Sequence, residues 1–249
     1  MRGYTAGNWL SEGWRAFSRH RWLFLSGVLI LLVVSLLQQL LERWGGLIAF
    51  PPGTETAATS SPNGFLLLFM DYFMSLAIRP LLDVGYQFLA LRAVRDEEAA
   101  LGDMLTPFRL PLSVLGAYWL THIIMAVGFL LLAIPGVIWT LKYMFSPLIA
   151  VAKRRGALEA LGESGLITLG YRRSLLGLGL VYLGLFLFLG GVGYLALVEG
   201  LIRWELALLL SAGVQVVIMP WFTASFAVAY RDLEEAYLVA NQSRPESDA

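Results

Sequence analysis

The chain has 249 residues, of which 58% are hydrophobic and 14% are charged. Soluble domains are roughly 45–50% apolar and about 25% charged, so this composition excludes a soluble globular domain. Eighteen basic and 18 acidic residues give a formal net charge of zero. That balance gives no reason to expect a nucleic-acid partner, and membrane lipid is the expected partner. The chain has no cysteine and only two histidines, so disulfides and thiolate metal sites are excluded and no cofactor is expected.

Six segments are long and apolar enough to cross the hydrocarbon core as α-helices, which needs about 20 residues each. The expected fold class is all-α, a polytopic integral membrane helical bundle in a single domain at 1–240. A disordered cytoplasmic tail is expected at 241–249. Pro135-Gly136 is expected to turn the third span directly into the fourth. The predicted spans cover residues 22–41, 66–91, 111–134, 137–152, 174–198 and 206–230.

Basic residues are distributed unevenly between the two ends of these spans. With the N-terminus inside, fourteen Lys and Arg lie on the cytoplasmic side, against Arg43 and Arg203 outside. Cytoplasmic loops are enriched in basic residues. Both termini are therefore predicted to lie in the cytoplasm, with the protein in the inner or plasma membrane.

Two amphipathic segments are expected to lie in the membrane interface rather than to cross it. The first covers residues 8–21, with Leu10, Trp14 and Phe17 on its apolar face. The second covers residues 157–173, and four of its leucines are expected to face lipid. They are Leu158, Leu161, Leu166 and Leu169.

The order of these segments also suggests an internal repeat. Each interfacial segment leads through a basic cluster into a span, and each unit ends in a span with a central proline, Pro80 or Pro220. Both units would start on the cytoplasmic side, so the repeat would be parallel, about an axis along the membrane normal. Chance similarity between leucine-rich helices is the alternative, and the sequence favours neither.

Several short motifs resemble a known group of membrane proteins. They are the run from Ile134 to Pro147, the segment 156–164 and Gly170-Tyr-Arg-Arg, with residues 80–85 and 103–108 fitting the same pattern. The group consists of prokaryotic multi-span proteins of unknown function, and includes the membrane domain fused to some glycerophosphoryl diester phosphodiesterases. The resemblance implies a six-helix membrane module. It transfers no activity and no site residues, because no phosphodiesterase domain is present in this sequence.

Three ionisable residues within spans form a candidate intramembrane charge layer. Asp83 and Arg79 precede Arg92 by nine and thirteen residues, which places them about 14 and 20 Å from the cytoplasmic end. Lys142 lies about 17 Å from its own cytoplasmic end, at Lys153, by the same rise. Because an unpaired charge at this depth is costly, we expect Asp83 and Lys142 to contact each other, directly or through one water, with Arg79 close enough to share the carboxylate.

A glycine stripe recurs every seven residues, which keeps its members near one helix face. Small residues allow helices to pack closely in membranes, so a packing seam is favoured over a substrate path. The seam could be internal or part of a dimer interface. The stripe consists of Gly170, Gly177, Gly184 and Gly191.

Two polar residues invite a catalytic interpretation that the sequence does not favour. Ser164, in Gly-Glu-Ser-Gly, superficially matches the serine segment of intramembrane rhomboid proteases, but no histidine follows it to activate it. His122 lies among apolar residues, and a hydrogen-bonded packing role is favoured over a proton relay. Both residues are therefore interpreted as structural.

The sequence favours a non-enzymatic membrane protein that acts as a structural, assembly or transport-accessory module. Its expected partners are membrane lipid and a membrane protein or a second copy of the chain. The alternative is a small transporter or channel using Arg79, Asp83 and Lys142. A transporter predicts a water-accessible cavity at that layer, whereas a scaffold predicts a dry, closed pair.

Overall fold

The computed structural model describes residues 4–49, 62–198 and 204–242. Every regular element in these ranges is helical, which confirms the all-α class. The tail predicted at 241–249 lies outside the described residues after Gln242. The helices are α1 (Ala6–Arg19), α2 (Arg21–Ala49), α3 (Pro62–Phe73), α4 (Arg79–Val94), α5 (Pro111–Leu131), α6 (Ala133–Tyr143), α7 (Ser146–Ala152), α8 (Ala157–Ile167), α9 (Arg172–Val198) and α10 (Trp204–Gln242).

Four described stretches are long and apolar enough to cross a membrane, and they correspond to the first four predicted spans. A fifth is obtained if α8 and the start of α9, which meet at 101°, count as one broken span. The sixth predicted span lies on α10, and a count of six stays a prediction. The four stretches are Arg21–Gly46, Asn63–Val94, Pro111–Leu131 and Ala133–Ala152.

The second span contains a π-helical turn, Met74–Ile78, directly before Pro80. Proline has no N–H, so the carbonyl of Leu76, four residues earlier, loses its ordinary helical donor. The indole N–H of Trp119 in α5 donates to this carbonyl at 2.9 Å. The span therefore continues through Pro80, and one hydrogen bond ties it to α5.

The third and fourth spans form the predicted hairpin, but the turn falls earlier than expected. α5 ends at Leu131 and α6 begins at Ala133, so Pro135 and Gly136 lie in the first turn of α6. Proline is tolerated there because the first N–H groups of a helix have no intrahelical acceptor. A Cβ on Gly128 would lie 2.9 Å from the Cα of Gly136, so these two glycines let the helices meet closely.

The helix α1 packs against α10, so it contacts another helix as well as the predicted membrane interface. Trp9, Gly13 and Phe17 are buried, whereas Trp14 is 47% exposed. A Cβ on Gly13 would lie 2.6 Å from the Cα of Ser225, so only glycine permits this approach. The predicted apolar face of Leu10, Trp14 and Phe17 is therefore wrong in part. The buried side of α1 contains Trp9 and Phe17, whereas Trp14 is exposed.

The second interfacial segment is shorter than predicted and ends in a sharp turn. The helix α8 ends at Ile167, and Gly170 has a φ of +87°, a conformation that favours glycine. Leu161 is buried, which corrects its predicted exposure to lipid. The other three leucines of the predicted face are exposed, namely Leu158, Leu166 and Leu169.

The core lies where α4 packs against both α7 and α10, with α1 packed on α10 and α8 packed on α7. Leu89, Leu148 and Tyr230 are among its fully buried side chains. A short helix followed by a long one occurs at both α1–α2 and α8–α9. The internal repeat itself stays a prediction.

Candidate functional site

Arg79 and Asp83 lie one turn apart on α4 and form an ion pair within the apolar stretch Asn63–Val94. The Nε of Arg79 is 3.1 Å from Oδ1 and 3.2 Å from Oδ2 of Asp83. The two side chains are 29% and 27% exposed. The i, i+4 spacing favours this pairing, and Pro80 between them does not prevent it.

The guanidinium group of Arg79 also connects α4 to α2. Its Nη1 donates to the Oγ of Ser35 and, at 3.5 Å, to the Oε1 of Gln38. Gln38 in turn donates from Nε2 to the Oγ of Ser75, in the π-helical turn, at 3.1 Å. Five side chains thus form one polar network, and such networks fix the relative positions of the elements that carry them.

A cleft of 480 Å³ opens beside this network, between α2 and α3. Polar side chains at membrane depth usually face protein or a water-filled cavity, because exposure to hydrocarbon is costly. The arrangement can therefore accommodate water or a polar group of another molecule. The polar side chains of the lining include Ser35, Gln38, Gln39, Glu42, Asp71 and Ser75.

Lys142 does not contact Asp83, which corrects the predicted direct pairing. Its stem crosses Gly165 of α8, and its Nζ lies 4.8 Å from the centre of the Tyr143 ring. No carboxylate of a described residue lies within 4.0 Å of it. The physical reason is the break between α6 and α7 after Tyr143. The predicted depth of Lys142 assumes one straight helix up to Lys153, and the break makes that assumption wrong.

The four glycines of the predicted stripe have different environments. Gly170 forms the turn before α9, and a Cβ on Gly177 would lie 3.3 Å from the Cβ of Ala6 in α1. An added Cβ on Gly184 or Gly191 would meet no described atom within 4 Å. Within the described residues, the internal seam is therefore limited to Gly177. A dimer interface at Gly184 and Gly191 stays a prediction.

An ion-pair network at the predicted cytoplasmic end joins α1 to α10, and the sequence reasoning did not identify it. The Nη2 of Arg231 lies 2.8 Å from Glu12 and 2.7 Å from Asp232. Asp232 also accepts a hydrogen bond from the indole Nε1 of Trp9 at 3.1 Å. The basic residues at this end predict the topology, but their pairing depends on which helices lie side by side.

A second part of this network surrounds Glu234 of α10. Glu234 pairs with Arg95 and, at 2.7 Å, with Lys153, which also pairs with Glu163 of α8. Burial lowers the pKa of Lys153, but its hydrogen bonds to the two glutamates outweigh this effect and the pKa lies above its ordinary value. The ends of four segments that are predicted to be cytoplasmic are thus held together by charge.

Ser164 and His122, for which the sequence offers a catalytic interpretation, both make hydrogen bonds to main-chain carbonyls. The Oγ of Ser164 is buried and donates to the carbonyl of Lys142 at 2.8 Å. The Nδ1 of His122 lies 2.7 Å from the carbonyl of Tyr118, and the two rings stack at 4.1 Å. In the described ranges, no group of three or more His, Asp or Glu side chains could hold a metal ion.

Comparison with known proteins gives no relative. No family model matches the chain, and no curated protein or solved structure matches it. The relation to the membrane domain of glycerophosphoryl diester phosphodiesterases therefore stays a prediction, based on the short motifs described above.

Proposed function

We propose that this chain is a non-enzymatic module of the inner or plasma membrane with a structural, assembly or transport-accessory role. The observation that carries this proposal is the set of protein partners that Arg79 has on two packed helices. Its Nε donates to Asp83 on the same helix, and its Nη1 donates to Ser35 and Gln38 on α2. All of these partners are protein groups on packed helices, as expected for a charge that ties spans together.

The polar cleft beside Arg79 supports the assembly role. Gln39 and Asp71 present hydrogen-bonding groups between α2 and α3, where a helix of another chain can approach. Polar side chains promote association between helices in membranes because they find few partners in lipid. A membrane-protein partner or a second copy of the chain would cover them.

A photo-crosslinking amino acid placed at Gln39 tests this proposal in native membranes. Leu37 is the matched control, since it is exposed on the same helix but does not line the cleft. We expect a discrete protein adduct from Gln39 and mainly lipid adducts from Leu37. Lipid adducts alone from both positions would contradict an assembly role for the cleft.

The same cleft supports a second candidate, a small transporter or channel. Its lining reaches from Asp71 toward Ser75, next to the Arg79 network. Asp71 and Arg79 are eight residues apart, which is about 12 Å along a helix. A polar path of this length would bring water from the predicted outer side to the ion pair.

Introduced cysteines test the aqueous path, because the natural chain has none. Ser75→Cys should react with a small charged thiol reagent about as fast as Asn63→Cys at the helix start, whereas Leu76→Cys should react slowly. Proteoliposomes with imposed potassium and proton gradients then test transport. Slow labelling at Ser75 equal to that at Leu76, or gradients that decay no faster than in empty liposomes, would overturn this candidate.

A further inference from the structure

A groove of 530 Å³ lies where α5, α6, α8 and the start of α9 meet, away from the Arg79 network. Most of its lining is apolar, and three of its leucines are among the exposed ones noted above. No acidic side chain lines it. The apolar lining includes Leu120, Ile124, Leu158, Leu166 and Leu169.

Two cations lie in this groove without a counter-charge. Neither Lys142 nor Arg172 has a carboxylate within 4.0 Å among the described residues. The Nε of Arg172 is buried and makes no hydrogen bond to a described residue. Lys153, by contrast, is held by two glutamates. A buried donor without an acceptor costs free energy, so an anion bound in the groove would be stabilised by these two cations.

The position of Lys142 in the groove is set by contacts between α6 and α8. The hydroxyl group of Ser164 donates to its carbonyl at 2.8 Å, which holds α8 against the end of α6. A Cβ on Gly165 would lie 2.9 Å from the Cε of Lys142, so the lysine stem crosses α8 where there is no side chain. The ammonium group is therefore placed by the fold.

We propose that this groove binds one anionic phospholipid. Lys142 and Arg172 would hold the phosphate, since cations between spans recognise acidic head groups. The acyl chains would lie along the exposed leucines of α8. Because Arg172 begins α9 at its predicted cytoplasmic end, the lipid belongs to the cytoplasmic leaflet. Charge complementarity decides the occupant: a zwitterionic lipid carries a head-group cation that offsets its phosphate and would be repelled by the two cations, and a small anion would leave the leucines uncovered.

Native mass spectrometry of the delipidated full chain in detergent tests the proposal. The three probes are dioleoylphosphatidylglycerol, dioleoylphosphatidylcholine and inorganic phosphate. We expect one phosphatidylglycerol to bind about tenfold or more tightly than phosphatidylcholine, because both cations favour a net negative head group. Phosphate should not bind at the same concentration, because it has no acyl chains to cover the leucines. Equal affinity for the two lipids would overturn the proposal. Phosphate that binds as tightly as the anionic lipid would make this an anion site and overturn it too.

Charge variants assign the binding to the two cations. Lys142→Gln and Arg172→Gln should each weaken phosphatidylglycerol binding by about fivefold. Arg173→Gln is the matched control, because Arg173 is exposed on the same turn and does not line the groove. Equal losses in all three variants would mean a diffuse surface charge and contradict a defined site.

A groove-filling variant keeps the test independent of charge. A Cβ on Gly162 would meet nothing within 4 Å, although Gly162 lines the groove. Gly162→Leu should therefore abolish the bound phosphatidylglycerol and leave the melting temperature of the lipid-free protein unchanged or slightly higher, since leucine favours helix over glycine. Undiminished lipid binding by a folded Gly162→Leu protein would overturn the proposal.

Discussion

One missing N–H at Pro80 explains why an indole from another helix is required inside the second span. The carbonyl of Leu76 has no ordinary helical donor, and hydrocarbon offers none. Trp119 supplies it. Ser35 and Gln38 of α2 likewise accept hydrogen bonds from Arg79. At the scale of single residues, Arg79 and the carbonyl of Leu76 thus find partners on neighbouring helices.

Removal of the indole donor should therefore destabilise the protein. We expect Trp119→Phe to lower the free energy of unfolding in mixed micelles by about 1–3 kcal/mol, the cost of an acceptor left unpaired in an apolar medium. In a Pro80→Ala background the alanine N–H can serve the helix, so the same substitution should cost less. An equal cost in both backgrounds would show that the loss comes from packing and not from the carbonyl.

The ion pair of α4 should behave as a unit that excludes Lys142. A double-mutant cycle on Asp83→Asn and Arg79→Met should show a coupling of ~0.5 kcal/mol or more, because the two side chains are in contact. A cycle on Asp83→Asn and Lys142→Met should be additive within that margin. Strong coupling in the second cycle would contradict the separation of Lys142 from Asp83.

At the scale of elements, two glycines of α1 and α9 decide where helices meet. Gly13 allows the backbone of α10 to approach α1, and Gly177 does the same for α1 and α9. For Gly7 and Gly184, which lie in the same helices, a Cβ would have no described atom within 4 Å. The spacing of glycines alone does not distinguish the two kinds, because the contact depends on the opposite helix.

Gly13→Ala should weaken the docking of α1 on α10. The added Cβ would overlap the backbone of Ser225, which cannot move as a flexible side chain can. We expect a loss of about 1–3 kcal/mol, typical of overpacking, and faster proteolysis of the N-terminal helix. Gly7→Ala is the control and should be neutral or stabilising by up to about 1 kcal/mol. Similar losses for both variants would argue against a specific contact at Gly13.

The two glycines of α9 give a further prediction. Gly177→Leu should lower the melting temperature in detergent, because its side chain would collide with Ala6. Gly184→Leu should leave the monomer's melting temperature nearly unchanged, since a Cβ there meets no described atom. A lower dimer fraction for Gly184→Leu would support the predicted interface between chains. A large drop in its monomer stability would instead indicate an internal contact.

At the scale of the whole molecule, the charged residues gather at one end and hold the helices there. Arg231 joins α10 to α1, and Glu234 joins α10 to α4, α7 and α8 through Arg95, Lys153 and Glu163. The same basic residues carry the topology prediction, since cytoplasmic ends are enriched in Lys and Arg. Packing and orientation thus depend on one set of side chains.

Labelling of introduced cysteines in intact cells tests the orientation. Asn63→Cys, at the start of α3, should react with an impermeant thiol reagent, whereas Asn241→Cys, at the end of α10, should react only after the cells are opened. Both positions are exposed. The reverse pattern would invert the topology and move the proposed lipid groove to the outer leaflet.

The sequence by itself determined the helical class and four apolar stretches, and it placed Arg79 one helical turn from Asp83. These features depend on local quantities: the length of an apolar run and the i, i+4 spacing on one helix. The tertiary structure alone decided three contacts. The stem of Lys142 crosses α8, the indole of Trp119 donates to the carbonyl of Leu76, and Gly13 packs against the backbone of Ser225. Each of these contacts joins residues far apart in the chain, at a helix break or crossing that hydropathy and spacing do not encode.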